Sequence, residues 1–157
     1  MTLEIERKFL VENAPEGLTY FENEDIRQGY TDAGRIREIT KDNSKRYFVT
    51  VKKGNGMVRE EIENEVNKET FDRMWAESEG KRIEKTRYLI PINGTSLKAE
   101  LDIYRGECTG LMTCEVEFPD EETARNFQPL GWFGKEVTDD ERYSNRRLAE
   151  FGIAKED

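Results

Sequence analysis

The segment Glu4-Ile5-Glu6-Arg7-Lys8-Phe9-Leu10 alternates strictly, and that rhythm narrows the fold more than any other feature of the chain. In a β-strand, residues two apart point to one face. Glu4, Glu6 and Lys8 therefore share a face, while Leu3, Ile5, Arg7 and Phe9 form the opposite, largely apolar one. The same rhythm returns along the chain. Arg35 and Arg37 flank Ile36, and Thr50 and Lys52 flank Val51. Arg59, Glu61 and Glu63 share one parity, with Ile62 on the other. Lys85 and Arg87 flank Thr86, Glu100 and Asp102 flank Leu101, and Glu115 and Glu117 flank Val116, with Cys114 and Phe118 continuing the apolar row. Each stretch predicts a short strand with an apolar side and a charged side.

A solvated sheet face also alternates, and alternating charge at an N-terminus is commonly the wet face of an edge strand. Here the polar positions are nearly all ionic, and they segregate by strand: only bases at Arg35/Arg37 and Lys85/Arg87, only acids at Glu100/Asp102 and Glu115/Glu117. Segregation predicts two opposed patches, one for a cation and one for an anion. Paired carboxylates repel unless a cation sits between them, and a lysine in the same row needs an anion to face. A metal-bound polyphosphate answers both demands.

A chain of 157 residues suits one domain. Charged residues make up 38% and hydrophobic ones 35%, which makes disorder a rival. Against it stand 10% aromatics and many β-branched residues. A fold that places charge inside as well as outside accounts for the balance. The net charge of −9 argues against a general nucleic-acid surface, which needs a basic excess, yet leaves room for a local basic site. With no histidine, the commonest general base is missing, and chemistry falls to carboxylates, metal, lysine or tyrosine. Cys108 and Cys114 form no CxxC pair, so zinc is not expected. The charged N-terminus does not read as a signal peptide, no stretch is apolar enough to span a membrane, and free thiols fit a reducing cytoplasm.

No linker or repeat divides residues 1–157. Residues 15–20 predict a loop, and Lys41–Lys45 and Lys53–Gly56 predict turns, with Asn55-Gly56 the strongest hairpin signal. Helices are predicted over three segments. Asn67 to Glu79 has Asn67 as cap, Phe71, Met74 and Trp75 as stripe and Gly80 as stop. Asp120 to Phe127 is capped by Asp120 and ended by Pro129. Ser144 to Phe151 turns Leu148 and Phe151 inward.

Phosphoryl transfer asks a protein for positioning and charge stabilisation. Arg35, Arg37, Lys85 and Arg87 suit phosphate oxygens, the arginines as planar forks and the lysine as a point charge. Lys8, Lys52 and Arg59 extend that set on the same parity, and Glu4, Glu6, Glu115 and Glu117 suit a hard divalent ion such as Mg²⁺ or Mn²⁺.

These elements, taken in order, resemble the CYTH superfamily, the triphosphate tunnel metalloenzymes. Glu4-x-Glu6-x-Lys8 is similar to its ExExK signature. Gln28-Gly29-Tyr30, Arg35-x-Arg37, Thr50-Val51-Lys52, Arg59-x-Glu61-x-Glu63, Lys85-x-Arg87-Tyr88, Glu100-Leu101-Asp102, Glu115-Val116-Glu117, Glu136-Val137-Thr138 and Arg142-Tyr143-Ser144-Asn145 follow. The resemblance runs from residue 4 to about 148. It implies an α+β, mainly β fold: a closed antiparallel eight-stranded barrel, a tunnel with a charged lumen and helices packed outside. It implies metal-dependent hydrolysis of a triphosphate by in-line attack of metal-activated water. Inorganic tripolyphosphate is the expected substrate, with an organic triphosphate, adenylate cyclisation or non-catalytic polyphosphate binding as alternatives. Glu4, Glu6, Lys8 and Lys85 are the expected catalytic set, with Glu61, Glu63 and Asp102 added to the metal ligands. Glu61, Glu63, Glu100 and Asp102 can also orient water or hold the bases, and for Glu63 and Glu100 an ion pair is as good a reading as a direct role. The resemblance further has residues 135–145 help close one tunnel mouth, with Glu136 turned to ligand or metal. No nucleic acid or membrane is expected as a partner, and a homodimer is left open.

Overall fold

The computed structural model describes residues 2–54 and 56–155. Eight antiparallel strands form β1 (Thr2–Leu10), β2 (Glu22–Thr31), β3 (Gly34–Lys41), β4 (Ser44–Lys53), β5 (Val58–Val66), β6 (Arg82–Pro91), β7 (Lys98–Arg105) and β8 (Met112–Glu117). They close into a barrel in the order β1-β5-β4-β3-β2-β6-β7-β8. Consecutive strands mostly pair as hairpins. Closure comes from β1, which splits its length between two partners: Glu4 faces Arg59 of β5, and Glu6 and Lys8 face Glu117 and Glu115 of β8. The β3–β4 hairpin turns on Asp42 and Asn43, both with positive φ (50° and 65°), as a two-residue turn between right-twisted strands requires. Of the second predicted turn, Asn55 lies outside the described residues, and Gly54 and Gly56 both take positive φ.

On most strands one parity packs outward, much of it beneath helices, while Val51 and Ile62 on the β4–β5 side stay exposed. Helix α1 (Lys68–Glu77) is capped by Asn67, whose side chain accepts from the Thr70 amide at 2.9 Å. It lays Phe71 on Ile36 and Tyr47, with the Phe71 and Tyr47 rings 4.9 Å apart. Its end differs slightly from expectation, because Ser78 closes it two residues before Gly80. Helix α2 (Glu121–Asn126) is capped by Asp120 and buries Ala124 against the row of Phe9, Leu101, Cys114 and Val116. Arg7, the one charge on that row of β1, donates to the carbonyls of Ala124 and Phe127 at 2.9 Å each and so ties α2 to the wall.

Helix α3 (Asn145–Phe151), capped by Ser144, lies across one barrel end and buries Leu148 with Tyr30, Ile83 and Tyr104. The expectation for Phe151 is corrected, since it is 71% exposed. The helix has fewer than two turns, and Leu148 and Ala149 already fill the face that meets the barrel. Among the described residues no helix is long and apolar enough to cross a membrane.

Gly29 of β2 shows how tightly α1 is seated. A Cβ there would lie 2.5 Å from Cβ and 2.3 Å from Oγ of the buried Ser78. A serine Cβ cannot swing away, so Gly29→Ala is expected to cost about 1–3 kcal/mol of stability as overpacking, read by thermal unfolding.

Candidate active site

The register gives one continuous face to the other parity. Gln28 faces Arg37, Arg35 faces Thr50, Thr50 faces Glu63, Lys52 faces Glu61, Arg87 faces Asp102, and Glu100 faces Glu115. Residues directly opposite in an antiparallel pair lie on the same side of the sheet. This is the side turned away from α1 and α2. On it, Glu4, Glu6, Lys8, Arg35, Arg37, Lys85, Arg87, Asp102 and Glu115 are all buried.

Most of these charges are matched by partners on the same face. Lys8 Nζ lies 3.5 Å from Glu115 and donates to the Tyr143 carbonyl at 2.6 Å. Lys52 pairs with Glu4 at 3.3 Å, and Arg35 with Glu63 at 3.6 Å. Arg87 grips both oxygens of Asp102 at 2.8 and 3.0 Å and reaches Glu100 at 2.9 Å. Lys85 Nζ lies 2.8 Å from Asp102 Oδ2, off the hydrogen-bond direction, with both side chains wholly buried. Burial draws the Lys85 ammonium down to about 7, against the pull of Asp102.

This arrangement revises the expectation of two opposed patches. Acidic β7 lies beside basic β6 and neutralises it. Asp102, expected among metal ligands, has both oxygens engaged by Arg87 and Lys85 and is their counterion; Glu100 and Glu63 are likewise paired. What survives is narrower. Basic β3 and acidic β8 stand four strands apart whichever way the barrel is followed.

Among the described residues, the unmatched members of this face are few. Among the acids of β1, β5 and β8, Glu6, Glu61 and Glu117 form no ion pair, nor does Glu24 of β2; among the bases of β3 and β5, Arg37 and Arg59 form none, nor does the exposed Lys98 of β7. Arg59 Nε donates only to the Gly56 carbonyl, at 3.2 Å. Arg37 directs Nε and Nη2 at the single amide oxygen of Gln28, at 2.9 and 2.7 Å. Burial, with Arg35 and Arg87 nearby, lowers the Arg37 guanidinium to about 9.

The carboxylates crowd one another. Burial and the neighbouring Glu115 and Glu4 push the Glu6 carboxyl well above its ordinary range. A hydrogen bond with Glu4, then burial, raises Glu61 to about 7. Burial opposes ionisation of Glu4 and Glu115 too, but Glu61 and Lys52 bring Glu4 to about 2, and Lys8, Arg87 and Lys85 hold Glu115 well below the carboxylate range. Glu4 Oε2 is buried with no hydrogen-bond partner.

No group of three or more carboxylates among the described residues is arranged to hold a metal ion. The donor set nevertheless fits one. It is all oxygen, it is crowded into contacting pairs of like charge, and one buried oxygen is orphaned. A hard divalent cation relieves each of these conditions.

A cavity of about 710 Å³ opens at the α3 end and is lined by Lys8, Arg35, Thr50, Lys52 and Arg59 from the strands. Residues 30–34 and 137–147 supply much of the remaining wall, including Arg146 and Arg147, two bases that sequence reasoning missed. Nothing in their local pattern sets them apart from the solvated side of a short helix. Gln28 stands out in the sequence only within Gln28-Gly29-Tyr30. Glu136 does not line this cavity. It pairs with Arg7 at 2.7 Å on the helix-covered side, because the edge bridge from Phe9 fixes its parity.

Arg37→Ala is expected to weaken binding of tripolyphosphate by about 1.5–3 kcal/mol, roughly ten- to more than a hundredfold. Lysine there should rescue only partly, since it keeps the charge and loses both contacts to Gln28. Ile36, on the other face against Phe71, should tolerate valine with full binding and a stability loss of about 0.5–1.5 kcal/mol. Titration calorimetry and thermal unfolding of the variants check the strand parity directly.

A closed barrel with a buried, partly unmatched ionic face is the architecture of a polyanion-handling protein, and the relatives of this chain agree. An inorganic triphosphatase of Nitrosomonas europaea is 41% identical over 148 residues, which span 93% of this chain and 96% of that protein. An inorganic triphosphatase of Acetivibrio thermocellus is 33% identical over 156 residues, 94% of each chain. A crystal structure of an inorganic triphosphatase superposes with a TM-score of 0.69 at 37% identity, covering 98% of this chain and 99% of its own. No family model matches the sequence. The chain belongs to the inorganic triphosphatase family, a family of hydrolases.

Proposed function

We propose that this protein hydrolyses inorganic tripolyphosphate with the help of a divalent cation, as a triphosphate tunnel metalloenzyme whose charged barrel face is the lumen. The observation that carries the reading is what remains on β1, β5, β8 and β3 after the barrel's own ion pairs are drawn: Glu6, Glu61 and Glu117 want a cation, and Arg37 and Arg59 want an anion. A metal-bound polyphosphate supplies both at once. The relatives' activity supports the same assignment.

In this reading Arg37 and Arg59 bind phosphate oxygens first, Lys8 and Lys52 follow as their partners Glu115 and Glu4 turn to the cation, and Arg35 follows as the phosphate displaces its long contact with Glu63. Lys85 and Arg87 stay locked on Asp102, with Glu100 also on Arg87, as a fixed cluster of oriented charges beside the site. Such preorganised charge in a buried site stabilises the transition state without reorganising at the moment of reaction. Glu4, Glu6, Glu61 and Glu117, with Glu115, would hold Mg²⁺ or Mn²⁺, which when bound neutralises phosphate charge and activates water. Buried, unpaired Cys108 and Cys114 support a reducing compartment, the cytoplasm.

Phosphate release from tripolyphosphate, ATP and thiamine triphosphate, measured side by side with Mg²⁺ or Mn²⁺, tests the substrate. Tripolyphosphate should be turned over fastest; a strong preference for either organic substrate would replace this reading. Excess chelator should stop turnover, and Ca²⁺ should restore little, because it is larger and holds a looser geometry. Undiminished turnover in chelator would sink the cation's part.

A further inference from the structure

Among the described residues, Arg37 is the one buried cation of the charged face that meets a neutral partner and no carboxylate. Lys8, Arg35, Lys52, Lys85 and Arg87 each pair with a carboxylate. Among the described residues Arg37 has Gln28 as its partner, itself 0% exposed, whose Oε1 accepts from Nε at 2.9 Å and from Nη2 at 2.7 Å. The other end of that amide is fixed as well, because Gln28 Nε2 donates to the Tyr30 hydroxyl at 2.9 Å. The amide cannot flip without setting its NH₂ against the guanidinium. Both strands hold it in register, since Gln28 and Arg37 are direct partners across β2 and β3.

A buried guanidinium normally takes a carboxylate, which orients it and cancels its charge together. An amide separates those two effects. It fills the Nε edge of Arg37, fixes the plane of the fork, leaves Nη1 free, and removes none of the charge. The fold thereby keeps a net cation in its interior, beside the Arg87–Asp102–Glu100 cluster and beside Arg35, whose contact with the part-exposed Glu63 is long at 3.6 Å. That costs stability unless an anion arrives.

We propose that Gln28 is a positioning residue that aims Arg37 at a substrate phosphate while leaving its charge intact. This rests on the reading of the site as one for tripolyphosphate. It adds that the neutral character of position 28, and not only its hydrogen bonds, sets the affinity. A glutamate there would keep the contacts and cancel the charge. A methionine would keep the volume and lose the contacts.

The test compares Gln28→Glu, Gln28→Met and Arg37→Ala with the wild-type protein, using tripolyphosphate as the probe for Kd and for KM and kcat, and thermal unfolding for stability. Gln28→Glu should raise Kd and KM at least about tenfold, with kcat changed much less, while Tm stays level or rises. Stability and affinity then move in opposite directions, which a merely structural role cannot produce. Gln28→Met should lower Tm and raise KM as well, because Arg37 keeps its charge and loses its aim. Wild-type affinity in Gln28→Glu would overturn the proposal, as would losses in both variants that simply track Tm. If Arg37→Ala binds normally, or the wild-type protein does not bind tripolyphosphate, the reading of the site itself fails and this inference falls with it. A normal Gln28→Glu beside a crippled Arg37→Ala would sink the inference alone.

Discussion

Replacing Glu6 by glutamine is expected to lower turnover of tripolyphosphate by about 10²–10³-fold, the scale on which loss of one preorganised charged contact slows an enzyme. Much of the affinity should remain. Glu6 is buried, lies across from Glu117 and is crowded by Glu115 and Glu4, yet pairs with no base among the described residues. Its charge therefore serves no partner within the barrel, and the amide is nearly its size. Binding is assigned mainly to the bases, which the substitution leaves in place. The expected signature is a fall in kcat with Kd for tripolyphosphate within a few fold of wild type. Stability should hold or improve, since a carboxyl repelled by its neighbours becomes a neutral amide. A variant with near-normal kcat would show that the crowded glutamates are only a buried wall.

Asp102→Asn should have the largest effect on stability. Asp102 is wholly buried, and it faces two buried cations, accepting from Arg87 at 2.8 and 3.0 Å and lying 2.8 Å from Lys85. Breaking a buried pair from one side leaves charge uncompensated, which costs about 3–5 kcal/mol. For a domain of this length that lowers Tm by roughly 6–20 °C. Lys85 offers partial relief. Burial has already drawn it down to about 7, and without Asp102 it loses the group that raises it and gives up its proton more readily.

The same pair sets an acid limit. Burial alone would raise the Asp102 carboxyl, but Arg87 and Lys85 bring it to about 2, below its ordinary 3.8. A carboxylate whose pKa is lower in the folded state contributes stability above its unfolded pKa and loses it as pH falls through the folded one. The wild-type protein should lose this contribution between about pH 4 and pH 2, and the asparagine variant should lack that part of the acid transition. Thermal unfolding of both proteins across that range checks the sign.

Much of this was legible in the chain. Side-chain period two is a property of the extended backbone, so Glu4/Glu6/Lys8, Arg35/Arg37, Lys85/Arg87 and Glu115/Glu117 announce both their strands and their shared faces. Asn67, Asp120 and Ser144 announce three helix starts, because an N-cap bond reaches only three residues along the chain. Strand β2 was not legible. Its sequence, ENEDIRQGYT, lacks alternation and is rich in residues disfavoured in strands. Its outward charges are absorbed by partners far away: Arg27 by Glu38 and the ring of Trp75, Asp25 by Arg105.

The sequence by itself determined which residues are strands, which parity is charged, and that acids and bases occupy separate strands. Only the tertiary structure decided which strands are neighbours. That choice sets β7 against β6 and turns Asp102 and Glu100 into counterions, while β8 stands across from β3. It also sets Gln28, not a carboxylate, beside Arg37, and brings Arg146 and Arg147 over the barrel mouth. The physical reason is range. Backbone periodicity and capping act within a few residues and are written locally. Cancellation of charge depends on distances of a few ångströms between segments far apart in the chain, and those exist only once the barrel has closed.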